Sequence, residues 1–211
     1  MRHAIGGAFA MRVGVLALQG GVREHVRLLD GLGARVELLR VPADLAGPDG
    51  LRVDGLVLPG GESSTIDRLL RTFGLFEPLR DAIASGLPAL GTCAGLVLLA
   101  DRVLDPAPGQ QSLGVLDVTV QRNAFGPQVE SAEVDLETTD GPVRVAFIRA
   151  PRVVGWGPGV KVLARLGGGV VGVRQGSITG VAFHPELTGE TRFHRRLLED
   201  ADRWPEVAQA S

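Results

Sequence analysis

The sequence predicts a single α/β domain, built on a mostly parallel sheet with helices on both faces and an antiparallel extension. From Arg12 to Val103, apolar strand-like runs alternate with glycine-rich turns and helix-spaced segments, as in strands joined by crossover helices. After Pro106 the pattern changes to short strands between glycine-rich turns, which predicts the extension. A length of 211 residues suffices for one such domain with a full core.

Arg12 to Leu18 (RVGVLAL) reads as a buried strand, left through the turn Gln19-Gly20-Gly21. Val22 to Leu32 has helical spacing, with Val22, Val26 and Leu29 on one face. Strands are expected at Ala34 to Leu39 and Gly55 to Leu58, the latter ending in Pro59-Gly60-Gly61. Helices are expected from Ser64 to Arg71 and from Phe76 to Ser85. A strand Leu87 to Leu90 then leads through Cys93 into a helix Ala94 to Val103. In the second part, strands are expected at Gly114 to Gln121, Ser131 to Glu137, Val143 to Ile148, Lys161 to Leu166, Val170 to Arg174 and Ile178 to Phe183. The last of these should return to the main sheet, and Thr191 to Asp202 should close the fold as a helix. No repeat, linker or low-complexity tract divides the chain. Residues 11–202 are expected to form one domain, with 1–10 an extension outside it and 203–211 a tail.

Composition narrows the function. Hydrophobic residues at 45% and charged residues at 22% are ordinary for a globular protein. A net charge of −2 and a pI near 6.1 give no footprint for nucleic acid or an anionic membrane. No apolar stretch approaches the roughly 18 to 20 residues that a membrane span needs. The single cysteine excludes an internal disulfide framework and a multi-cysteine zinc site, and fits a reduced, cytoplasmic setting. Neither a metal nor a cofactor is expected.

That cysteine, Cys93, lies in Gly91-Thr92-Cys93-Ala94-Gly95 between a strand-like and a helix-like run. A tight strand-to-helix turn lifts a nucleophile off a sheet, and flanking glycines let the backbone fold sharply. Helix-start amides and the helix dipole favour the thiolate, the form that attacks carbonyls. A small buried thiol is the plain alternative.

A thiol nucleophile needs a base, and the base an orienter. His184 ends the apolar run Ile178 to Phe183, and Glu186 follows two residues on, the same side of an extended segment. Carboxyl ends of parallel strands converge on one edge, so Cys93 and His184 can meet there. His25, on the first helix without a carboxylate at orienting spacing, is the competing base and reads as structural or a rim residue. His194, beside Arg195 and Arg196, reads as surface. Thioester chemistry also needs two donors for an oxyanion. The amide of Ala94 is one, and the loop Pro59-Gly60-Gly61-Glu62-Ser63-Ser64 suits the other, at Gly61. A phosphate loop is its rival reading, but there is no Walker-type lysine and Glu62 would repel phosphate. Glu62 instead suits an amino group.

The segments around Cys93, Gly60-Gly61 and His184-Pro185-Glu186, in that order, resemble a class I, triad-type glutamine amidotransferase. Leu16-Ala17-Leu18-Gln19-Gly20, Arg122-Asn123-Ala124-Phe125-Gly126, Phe147-Ile148-Arg149-Ala150-Pro151 and His184 to Gly189 sharpen the resemblance to the glutaminase subunits of pyridoxal 5′-phosphate synthase. It runs from Met11 to about Leu198. It implies a three-layer, flavodoxin-like fold in which Cys93 attacks the side-chain amide of L-glutamine, with His184 as acid/base and Glu186 as its orienter. It also implies glutamine contacts from Gly61, Glu62, Ser63, Arg122, Ile148 and Arg149. Which arginine takes the substrate carboxylate stays open.

The implied partner is a (β/α)8 synthase subunit that receives the ammonia, in an assembly of twelve synthases and twelve glutaminases. Such glutaminases are poorly active alone, and docking completes their oxyanion hole. The family usually has a second arginine after Arg-Asn-Ala-Phe-Gly, where this chain has Pro127. That loses a charge and an amide donor and puts any partner contact made there in doubt. A glutaminase serving another synthase, such as the imidazole-glycerol-phosphate system, a silent homologue and a cysteine peptidase of the same fold are the alternatives. The Glu62-Ser63 pair and the Arg122 segment argue against the first. The complete triad argues against the second, and the glutamine-specific motifs against the third.

Overall fold

A computed structural model describes residues 10–122, 124 and 131–209. Five strands form its parallel heart: β1 (Arg12–Leu16), β2 (Arg35–Leu39), β5 (Gly55–Leu58), β6 (Ala89–Thr92) and β14 (Ile178–Val181). Their spatial order, β2-β1-β5-β6-β14, is that of a flavodoxin-like doubly wound sheet. The strands are almost continuously apolar because both faces are covered, and β5, β6 and β14 are buried at every position.

Helices α1 (Val22–Gly31), α3 (Ser63–Thr72), α4 (Phe76–Ala84) and α5 (Ala94–Leu99) connect these strands, and α7 (Arg192–Gln209) closes the fold. Short α2 (Pro42–Leu45), β3 (Ala46–Gly47) and β4 (Gly50–Leu51) fill the β2–β5 connection, and α6 (Pro185–Thr188) follows β14. On β5, a Cβ built at Gly55 would touch Leu197 and Ala201 of α7. Leu58, three residues on and therefore on the other face, lies against Gly95 of α5. Helices α5 and α7 thus pack on opposite faces, giving the expected three layers. Gly95 is needed for that approach, since a Cβ there would sit 2.0 Å from the Leu58 carbonyl oxygen.

The extension comprises β7 (Ala100–Leu104), β8 (Leu116–Gln121), β9 (Ser131–Thr138), β10 (Gly141–Ile148), β11 (Arg152–Trp156), β12 (Lys161–Leu166) and β13 (Gly169–Gln175). The ladder β14-β13-β12-β9-β10 is antiparallel throughout, so the last strand does return to the main sheet beside β6.

Several boundaries differ from expectation. The helix after Cys93 ends at Leu99, and Ala100–Leu104 pairs with β8 as a parallel strand. An unbroken apolar run looks alike as a buried helix or a buried strand, so periodicity could not place that switch. Strand β11 was not expected. The closing helix runs to Gln209 instead of stopping at Asp202, with Trp204 packed against the core beyond that point. Among the described residues no helix is long and apolar enough to cross a membrane.

Candidate active site

The carboxyl ends of β1, β5, β6 and β14 open into one cavity of about 670 Å³. It is lined by every residue given a catalytic or glutamine-binding role from the sequence: Gly61, Glu62, Ser63, Cys93, Ala94, Arg122, Ile148, Arg149, His184 and Glu186. Gln19, Gly60 and Leu187 line it as well. The cavity lies where the strand order reverses and at the strand ends beside it, the place where open α/β sheets bind ligands.

Cys93 follows β6 directly and has φ 48° and ψ −101°, a conformation that costs energy for a non-glycine residue. Its amide is held by the carbonyl of Val181 at 2.8 Å, tying the elbow to the end of β14. The Ile148 carbonyl faces its sulfur at 3.9 Å. Arg149, next along, also has a positive φ of 43°.

His184 lies just past β14, and its amide donates to the Ala146 carbonyl at 2.8 Å, docking β10 onto the site. Its Nδ1 is 2.7 Å from Glu186 Oε1. The pair arises differently from the expected extended segment: His184 caps the single-turn helix α6, Pro185 occupies the first helical position and Glu186 the second. Burial works against the imidazolium. Hydrogen bonds to Cys93 and Glu186, and the charges of both, outweigh it and raise the His184 pKa from 6.5 to about 10. His184 is therefore held as an imidazolium beside the Cys93 sulfur.

The loop after β5 supplies the opposite wall. The Gly60 carbonyl accepts from the Gly21 amide at 2.9 Å, so the Gly61 N–H of the same trans peptide points the other way. Gly60 is required by proximity, because a Cβ there would lie 2.2 Å from His184 Cε1. The Glu62 amide donates to Gln19 Oε1 at 2.9 Å.

Glu62 caps α3 by accepting from the Thr65 amide at 2.8 Å and from the Ser64 hydroxyl at 2.5 Å. Its other oxygen accepts from Arg122 at 2.9 Å. Burial disfavours its charge, but the Ser64 and Thr65 bonds prevail and lower its pKa. A carboxylate already seated on the helix amides leaves no place for phosphate, which disposes of the rival loop reading.

Beneath the pair, His25 and His194 are fully buried. His25 Nδ1 is 2.8 Å from His194 Nε2, and its Nε2 is 3.2 Å from Thr92 Oγ1 and 3.6 Å from Glu186 Oε1. His25 is thus structural and not a second base at the cavity wall. His194 is not at the surface as expected: with Leu197 and Ala201 it forms the inner face of α7, while Arg195 and Arg196 turn outward. That spacing of three and four was available in the sequence. Gln110 was missed altogether. It bonds to both Arg122 and Ser63, and a loop residue outside any periodic segment carries no sequence signal. Pro127 lies outside the described residues.

The elbow cysteine and the histidine–carboxylate pair at the neighbouring strand end stand where a resemblance to triad-type glutamine amidotransferases places them. A crystal structure of a glutamine amidotransferase shares 46% of its sequence with this chain, covers 90% of it and 98% of its own length, and superimposes with a TM-score of 0.82. PurLQS from Thermotoga maritima, at 16% identity and a TM-score of 0.64 over 93% of this chain and 99% of its own, shares the fold. The chain belongs to the SNO glutamine amidotransferase family, whose model matches residues 15–203. Among its relatives are the pyridoxal 5′-phosphate synthase subunits PdxT of Kineococcus radiotolerans and Clavibacter michiganensis. The first is 58% identical over 90% of this chain and 94% of its own length, and the second 56% identical over 90% and 92%.

Proposed function

We propose that the chain hydrolyses L-glutamine to L-glutamate and ammonia and delivers the ammonia to the synthase subunit that makes pyridoxal 5′-phosphate. The observation that carries the mechanism is the line Glu186–His184–Cys93 at adjoining strand ends, with 2.7 Å between Glu186 and His184. The Cys93 thiolate attacks the side-chain amide carbon, and the amide oxygen takes the negative charge. The amides of Ala94 and Gly61 are the donors assigned to that oxyanion. His184 gives its proton to the departing nitrogen, leaving a γ-glutamyl thioester. Water then attacks the thioester, His184 takes its proton, and glutamate leaves with the thiolate restored. Glu186 holds the imidazole in one orientation and stabilises its charged form.

Gly61, Glu62, Ser63, Arg122, Ile148 and Arg149 are assigned to glutamine binding. Arg149 is exposed at the rim, without an ion pair among the described residues, whereas Arg122 is already paired with Glu62. The names of the PdxT relatives, as subunits of pyridoxal 5′-phosphate synthase, support a synthase partner. The single cysteine fits a reducing cytoplasmic setting, and the family resemblance implies an assembly of twelve copies of each subunit. Steady-state ammonia release with and without the cognate synthase tests the reading. Release should rise on adding the synthase and vanish in Cys93→Ala. Unchanged activity in that variant would overturn the nucleophile, and a response only to a different synthase would overturn the pathway.

A further inference from the structure

The loop Ala107 to Gln111 lies behind the glutamine cavity and is pinned to α3 at two points. The Gln111 amide donates to buried Asp67 at 3.0 Å, and Arg71 donates to the Gly109 carbonyl at 3.2 Å. Between these anchors stands Gln110. Its Oε1 accepts from Arg122 Nη1 at 2.8 Å and from the Ala107 amide at 3.1 Å, and its Nε2 donates to Ser63 Oγ at 3.1 Å. The amide cannot be turned over, because its NH2 would then face a guanidinium and a backbone N–H.

This has a consequence for Ser63. A hydroxyl whose oxygen accepts from Gln110 keeps its own hydrogen to give, and among the described residues that hydrogen has no acceptor. Ser63 is buried apart from its edge on the cavity, so its hydroxyl hydrogen is available to a ligand there. Arg122, held at Nη1 by Gln110 and at Nη2 by Glu62, keeps further N–H donors of its fixed fork.

We infer that Gln110 is a positioning residue that sets the hydrogen-bond polarity of this wall, so that Ser63 and Arg122 together present donors to an acceptor-only group of the substrate, its α-carboxylate. The inference rests on the assignment of Ser63 and Arg122 to glutamine binding. Gln110 touches no substrate and acts through those two side chains. A carboxylate at position 110 would hold Arg122 equally well but would accept the Ser63 hydrogen and spend it, so a scaffold and a polarity device respond differently to it.

Glutamine turnover by Gln110→Leu and Gln110→Glu, measured with the synthase present, separates the two roles. Both variants should raise KM for glutamine about tenfold and leave kcat within about threefold. Alkylation of Cys93 by iodoacetamide, which carries no α-carboxylate, should keep its rate. Labelling by a glutamine-like chloroketone should slow by about the same tenfold.

Wild-type KM in Gln110→Glu would overturn the polarity claim, and wild-type KM in Gln110→Leu the positioning claim. Equal slowing of both alkylations would also overturn it, since the damage would then have reached the elbow. Should Gln110→Leu fail to fold, by thermal melting, the isosteric Gln110→Glu carries the test alone. Ser63→Ala and Arg122→Met complete the set. Unchanged KM in both would refute the underlying binding assignment, whatever the Gln110 variants do.

Discussion

At the residue scale, Glu186 shows how little freedom the site leaves a single atom. One carboxylate oxygen lies 2.7 Å from the imidazole it orients and 3.6 Å from a second, buried imidazole. Glu186→Gln keeps the size but removes the charge that helps hold His184 as an imidazolium. A fall in kcat of about 10²-fold or more is expected, with KM for glutamine changed by no more than a few-fold, as read from initial rates with the synthase. The three triad candidates and the seven other residues named with them could be picked out from the sequence because each sits in a short motif. Local chemistry marked the triad, and the family resemblance marked the glutamine contacts. Gln110 could not be picked out, because its role comes only from partners 12 and 47 residues away. The solvent-facing reading of His194 failed for a simpler reason: its charged neighbours drew attention from its place in the helix period.

At the element scale, the site depends on loops that have no room for a methyl group. Gly60→Ala places a carbon against the His184 ring, so either the ring or the donor loop must move. Turnover is expected to fall about 10²-fold or more, while the melting temperature changes by only a few degrees, because the loop is outside the core. Retained turnover would show that the loop yields instead of the histidine. Strand and helix identities in the parallel half were readable, since each crossover alternates a buried run with a helical period. The switch from α5 to β7 was not. Leu96 to Ala100 are all fully or nearly buried, so the side chains do not distinguish the two backbones, and pairing with β8 decides between them.

At the scale of the whole molecule, three histidines shape the response to pH. Burial, helped by the neighbouring His194 and His184, holds His25 well below its usual pKa, and burial takes His194 down to about 4. Both stay neutral in the fold but bind protons when unfolded, so their contribution is complete above pH 6.5 and shrinks as pH falls toward 4. For each group the slope is about 1.4 kcal/mol per pH unit. His184, raised to about 10, has the opposite sign: its contribution is full below 6.5 and is lost as pH rises through 10. The histidine contribution to stability therefore peaks near pH 6.5. Thermal melts from pH 4 to 9 should show that maximum, and Cys93→Ala, lacking the sulfur that helps raise His184, should flatten the alkaline limb. An alkaline limb unchanged in that variant would contradict the interaction of Cys93 with His184.

The sequence by itself picked out the side chains that gather around one cavity and the class of sheet that holds them. Motif identity and hydrophobic period are local properties, written within a few residues of one another. Only the tertiary structure decided that Cys93 and His184 share an edge, through the pairing of β14 with β6 in the register Val181 to Thr92. It alone decided that Glu186 reaches His184 across a helical turn, that His25 and His194 lie buried together, and that Gln110 stands behind Ser63 and Arg122. Those relations depend on strand order and packing between distant segments, and charge and hydrogen-bond polarity follow from them. The sequence could say that Cys93, His184 and Glu186 can meet, but only the folded chain decides that they do and how.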